Sequence, residues 1–142
     1  MSKKSERNPE EIVRRLLEND PFSLWMGISI EEVRLGFCKI SCSIRPEMLN
    51  GFGVTHGGIL FSLADSALAF SAATYGSVAV AIDNSISFTR PGHNGEQLTA
   101  QSEARNITRK TGLFNVQIVN QKDELIALFK GTVYRTGKEF EP

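Results

Sequence analysis

The sequence predicts an α+β fold in which one long buried helix lies against one face of a mostly antiparallel sheet. Three observations carry this reading. Residues 59–75 form an apolar run interrupted only by Ser62, Asp65, Ser66 and Ser71. Every segment after Gly76 favours strand, in four lengths separated by turn residues. Two more strand-like segments precede the helix, so strands and helices do not alternate as a parallel sheet would require.

Taken in order, Asn8-Pro9-Glu10-Glu11 is a helix start: a cap, a proline in the first turn, and acids at the positive end. Ile12, Val13, Leu16 and Leu17 give that helix one apolar stripe, and it ends before Pro21. Residues 28–34 and 37–45 read as strands joined at Leu35-Gly36. The central helix covers roughly 57–75 and stops at Gly76. Strands follow at 78–89, 96–108, 112–120 and 124–135, with turns at 91–95, 110–112 and 121–123. The expected organisation is an N-terminal helical segment (1–20), a single domain (21–137) and a short tail (138–142).

At 142 residues the chain is one domain large enough to bury a core. Lys+Arg and Asp+Glu both number 16, so the net charge is zero, which argues against a nucleic-acid partner. The polar interruptions in 59–75 make that run a buried helix and not a membrane span. The charged start, MSKKSERNPEE, has no signal-peptide core after it. Cys38 and Cys42 fall on one face of one strand, too far apart to bond easily. A reduced, cytoplasmic protein is the expectation.

Chemistry concentrates in residues 49–76. The turn-forming Asn50-Gly51-Phe52-Gly53 leads through His56-Gly57-Gly58 into the apolar helix, which carries one carboxylate, Asp65. A helix N-terminus offers unpaired N–H groups and partial positive charge, and glycines there let a ligand approach the backbone. A carboxylate among Leu63, Ala64, Ala67 and Leu68 is costly to bury unless it is used. These parts can polarise a carbonyl and deliver a base or nucleophile to it. A helix that is apolar nearly all round must also be covered nearly all round. The small residues Ala64, Ala67, Ala69, Ala72 and Ala73 suit a second copy of the helix, so a dimer or larger is expected. A monomer whose N-terminal helix closes the gap is the alternative.

The run Met48-Leu49-Asn50-Gly51, His56-Gly57-Gly58 and Phe61-Ser62-Leu63-Ala64-Asp65-Ser66-Ala67 resembles the signature of the PaaI-type hotdog acyl-CoA thioesterases, known from phenylacetic acid degradation. The resemblance continues through Phe88-Thr89-Arg90-Pro91-Gly92 and Arg109-Lys110-Thr111-Gly112 to Ala127-Leu128-Phe129-Lys130-Gly131-Thr132, and covers roughly residues 20–137. It implies a hotdog fold and hydrolysis of aryl- or phenylacetyl-type CoA thioesters. It also implies a homodimer with two interface sites, commonly assembled as a dimer of dimers.

Gly57 and Asp65 are eight residues apart, about 12 Å along one helix. A carbonyl held at Gly57 therefore could not meet Asp65 of the same chain, since reacting atoms lie within about 3–3.5 Å. Two helices packed antiparallel across a twofold axis would bring Gly57 of one chain to Asp65 of the other.

By resemblance, Asn50 positions water or substrate, the Gly57 N–H polarises the thioester oxygen, and Asp65 is nucleophile or general base. Asn50 could instead be only a turn residue, and His56 either caps the helix and holds the Asn50 loop or touches substrate. Gly58, Pro91 and Thr111 flank these groups as expected substrate contacts. Two positions depart from the family pattern: Ala73, where relatives often carry Asn, and Ala81, where some carry Ser or Thr. Asp83 and Ser85 alternate with Ala81 on one strand face and are the polar substitutes, Asp83 either lining the site or serving as a structural acid. Arg90, Arg109 and Lys110 are candidate cations for the phosphates of coenzyme A. Each could equally be an ordinary solvated charge.

No GxSxG elbow, P-loop, CxxC or HExxH pattern occurs, and with His56 and His93 alone a multi-histidine metal site is not expected. Coenzyme A enters as part of the substrate, and no cofactor is expected. The competing readings are a hotdog acyl-CoA hydratase or dehydratase and a noncatalytic acyl-CoA-binding domain.

Overall fold

The computed structural model describes residues 8–140. Most of the charged start, residues 1–7, and the last two residues of the tail lie outside the described residues. Two short helices come first, α1 (Pro9–Glu18) and α2 (Pro21–Trp25), followed by strands β1 (Ser29–Arg34) and β2 (Phe37–Ser43). A 3-10 turn at Pro46–Met48 leads to the long helix α3 (Gly57–Ala73). The strands β3 (Ser77–Phe88), β4 (Gln97–Ile107), β5 (Thr111–Val119) and β6 (Leu125–Glu139) complete the chain. All six strands form one antiparallel sheet in the order β1-β2-β4-β5-β6-β3. This is an α+β hotdog architecture, as the sequence implied.

Local chemistry accounts for the helix ends. Asn8 Oδ1 accepts the Glu10 N–H at 2.8 Å, Pro9 opens the first turn, and Ile12 and Val13 are buried. The helix α2 was not anticipated. Asp20-Pro21 reads as the end of α1, yet Asp20 Oδ1 accepts the Ser23 N–H at 3.0 Å and starts a second helix. β6 runs to Glu139, two residues beyond the domain end drawn at 137.

The core lies between α3 and the inner face of the sheet. Leu60, Leu63, Ala64, Ala67, Leu68 and Phe70 pack on Ile40, Leu98, Ala100, Phe114, Val116 and Phe129. Phe70 is fully buried, so Phe70→Ala would cost about 3–5 kcal/mol. The polar pair Ser71 and Ser102 satisfies itself across helix and sheet, with hydroxyls 2.6 Å apart. Cys38 and Cys42 are buried free thiols, pushed up to about 12 and about 11 by burial, and so are held in the unreactive protonated form.

Two surfaces remain open. α1 packs on one flank of α3, and the Ser23 and Ser66 hydroxyls meet at 2.9 Å, yet Gly58 and Ala69 stay exposed and Ser62 and Asp65 only half-buried. The N-terminal helices thus do not finish covering α3. β3 is a sheet edge, and along it Val78, Val80 and Ile82 are 37%, 48% and 59% exposed. Among the described residues no helix is long and apolar enough to cross a membrane.

Candidate functional site

At the head of α3 the three residues His56, Gly57 and Gly58 do different work. His56 is the N-cap, and its Nδ1 accepts the Gly58 N–H at 2.8 Å. Its own backbone N–H donates to Met48 O at 2.8 Å. That network assigns the neutral ring proton to Nε2. The next two helix donors, Ile59 and Leu60, bond to His56 O. The Gly57 N–H is therefore left without a partner among the described residues, at the positive end of a 17-residue helix. Gly58 serves the cap, because a Cβ there would lie 2.9 Å from His56 Nδ1.

Asn50 closes the loop before the helix. Its Oδ1 accepts from Phe52 N–H at 2.9 Å and Val54 N–H at 3.3 Å, which is the turn role. Its amide nitrogen has no partner among the described residues, so a donor remains available. Asn50, Gly57, Arg90 and Pro91 line one cavity of about 340 Å³ together with Thr55, Leu60 and Phe88. The Phe88 ring lies directly over the helix head, 3.1 Å from where a Gly57 Cβ would sit. Arg90 is paired with Glu124 at 3.2 Å and is not a free cation.

Asp65 stands two turns farther along α3, half-buried on the open stripe. Burial pushes its carboxyl above the usual carboxylate range, and a hydrogen bond from Asn84 Nδ2 at 3.3 Å works against that rise. Asn84 was not among the residues singled out from the sequence. The reason is a β-bulge between Ala81 and Asp83. Ala81 pairs with the buried Val133 and faces α3, but after the bulge Asp83 and Ser85 pair with Thr132 and Lys130 and face away. Asn84, paired with Gly131, is the residue that turns toward Asp65. The same-face expectation for Ala81, Asp83 and Ser85 is thus corrected. Ser85 lines a separate, larger cavity of about 450 Å³ on the outer face with Gln101, Asn115 and Lys130, away from both Gly57 and Asp65.

Arg109, Lys110 and Thr111 lie at the β4–β5 turn, at the opposite end of the sheet from Gly57. The Thr111 N–H and carbonyl bond to Thr108, a turn role, while Arg109 and Lys110 are exposed. Ala73 is buried near the end of α3. The chain therefore brings Asn50, Gly57, Arg90 and Pro91 together, sets Asp65 with Asn84 apart from them, and holds Arg109–Thr111 at a distance from both.

The model of the thioesterase superfamily matches residues 52–127, which include α3 with both Gly57 and Asp65. The acyl-coenzyme A thioesterase PaaI of Escherichia coli (strain K12) is 40% identical over 122 residues, spanning 86% of this chain and 87% of that protein. A putative esterase of Archaeoglobus fulgidus is 36% identical over 133 residues, 94% of this chain and 86% of its own length. The structure of the E. coli PaaI protein from the phenylacetic acid degradation operon superposes with a TM-score of 0.92 at 37% identity, covering 94% and 96% of the two chains. Likeness of that extent, running through α3 and the sheet, shows the family: the chain belongs to the thioesterase superfamily and is a hotdog-fold acyl-CoA thioester hydrolase similar to PaaI.

Proposed function

We propose that the protein hydrolyses aryl-type acyl-CoA thioesters, phenylacetyl- or hydroxyphenylacetyl-like, to free acid and CoA in the cytoplasm, at sites shared between two protomers. The observation that carries the reading is the free Gly57 N–H at the head of α3, beside the exposed Phe88 ring. An N–H aimed at a thioester oxygen stabilises the charge that develops there during attack, and a neighbouring aromatic face suits an aryl acyl group. The relative from a phenylacetic acid degradation operon supports the same substrate class.

In this reading Asp65 comes from the partner chain and acts as nucleophile or general base, while the free Asn50 amide orients water or substrate. The exposed apolar edge of β3 supports a partner. An edge strand carrying Val78, Val80 and Ile82 invites a second copy, and antiparallel pairing of the two β3 strands would lay α3 against α3 across a twofold axis. The same pairing would set Arg109 and Lys110 of one protomer at the end of the joint sheet occupied by Gly57 of the other, where CoA phosphates need cations. Neither a metal nor a cofactor has a step to perform. A panel of acyl-CoAs, with CoA release followed by a thiol reagent, tests the substrate class: kcat/KM should be greatest for phenylacetyl-type acyl groups, and a preference for straight-chain acyl groups would overturn it.

A further inference from the structure

We infer that Asn84 is a positioning residue that aims the Asp65 carboxylate and keeps it ionised at neutral pH; the inference rests on the reading of Asp65 as the reacting acid. Asn84 Nδ2 makes the one hydrogen bond to the Asp65 side chain found among the described residues. The far end of the carboxamide is informative. Asn84 Oδ1 is buried and has no hydrogen-bond partner among the described residues. Leaving a buried carbonyl unpaired costs free energy, but turning the amide over would set that oxygen against a carboxylate. The orientation with N–H toward Asp65 is therefore the one an ionised Asp65 selects.

The backbone has made room for this arrangement. Gly131 lies opposite Asn84 on β6, and a Cβ there would stand 2.8 Å from Asn84 Oδ1 and 2.6 Å from Leu68 Cδ2. Any other residue there would crowd both the Asn84 carboxamide and the Leu68 side chain, and one or both would have to shift.

Among the described residues no charge does the same work. The buried residues of β4, β5 and β6, Ser102, Phe114 and Phe129 among them, are all uncharged, and the inward groups of β2 include the thiols Cys38 and Cys42, which burial keeps protonated. On β3 the one acid, Asp83, faces away. On α2, Asp20 is turned to Ser23 at 2.7 Å, and on α1 Arg15 and Arg14 are paired with Glu11 and Glu18. His56, on the same helix, is nine residues upstream. Burial raises the Asp65 pKa, and the Asn84 N–H is the group that opposes it.

The test is the pH profile of kcat for the full chain with the best substrate of the acyl-CoA panel, in wild type, Asn84→Leu and Gly131→Ala. A hydrogen bond to a charged group corresponds to about one pKa unit. Asn84→Leu should move the acid limb to higher pH by about that amount, so that kcat falls roughly tenfold at pH values below the wild-type limb and less at neutral pH, with KM little changed. Gly131→Ala should move the limb the same way without altering any hydrogen-bonding atom, and it carries the test if Asn84→Leu does not fold. A limb that stays at the wild-type pH in folded variants, whatever happens to their melting temperature, overturns the inference. Asp65→Asn in the same buffers separates the two readings. Near-native turnover of that variant removes the Asp65 assignment itself, whereas its inactivity beside an unmoved limb removes only the role of Asn84.

Discussion

Replacing Gly57 by proline would delete the one backbone N–H on which the proposed chemistry depends and disturb little else. Proline suits the first position of a helix, where the N–H has no intrahelical partner, and the Gly57 N–H has none. His56, at φ −60 and ψ 134, already holds the extended backbone required of a residue before proline. The added Cβ meets Phe88 Cζ at 3.1 Å, a contact that the exposed ring can relieve by shifting a few tenths of an ångström. Gly57→Ala adds the same Cβ and keeps the N–H, so the difference between the two variants isolates the donor. Removing one donor from an oxyanion site costs about 10²–10³ in kcat, or about 2.7–4 kcal/mol. The assay is CoA-thiol release at saturating substrate with kcat and KM separated, alongside thermal melting. Gly57→Pro should lose that factor in kcat while Gly57→Ala stays within about tenfold of wild type, the allowance being for the Phe88 contact. Equal turnover of the proline and alanine variants would refute the assignment of Gly57 as the oxyanion donor.

Asp65→Asn should lower kcat by on the order of 10²-fold or more, as for a lost base or nucleophile; near-native turnover would exclude that role. The same variant should be more stable at neutral pH. Burial raises the folded-state pKa of Asp65, so the folded chain holds that proton more tightly than the unfolded chain, and stability falls as pH rises from the ordinary carboxylate range through the folded value. The melting advantage of Asp65→Asn should therefore grow across that window and vanish below it, and a pH-independent difference would contradict the desolvation account. Mixing Gly57→Pro with Asp65→Asn tests the shared site, since about 12 Å of helix separates the two residues within one chain. Random exchange makes about half the dimers mixed, each with one intact site, so activity should recover to about one quarter of wild type. No recovery despite proven exchange would rule out the cross-chain arrangement.

What the sequence determined by itself was whatever depends on residues close along the chain. The apolar run 59–75 required a buried helix, and the turn residues separated four strands after it with boundaries close to those observed. The head of α3 was legible because Asn50, His56, Gly57 and Gly58 act on backbone within a few residues of themselves. The second helix was the local failure: Asp20-Pro21 serves equally to end one helix and start the next, and the Ser23–Ser66 contact that favours the start comes from 43 residues away.

Tertiary structure decided the rest. The parity of β3 turned on a bulge that exists only in its pairing with β6, which moved Asp83 and Ser85 to the outer face and turned Asn84 inward. Whether Arg90 is a free cation depended on Glu124, 34 residues later, and the space for the Asn84 carboxamide depended on Gly131. Side-chain alternation along a strand is a local rule with period two. A single extra residue, set by contact with a distant strand, inverts everything beyond it. The kinds of group needed for the chemistry could thus be read from the chain, but which acid faced the helix, and what held it there, was settled only by the folded sheet.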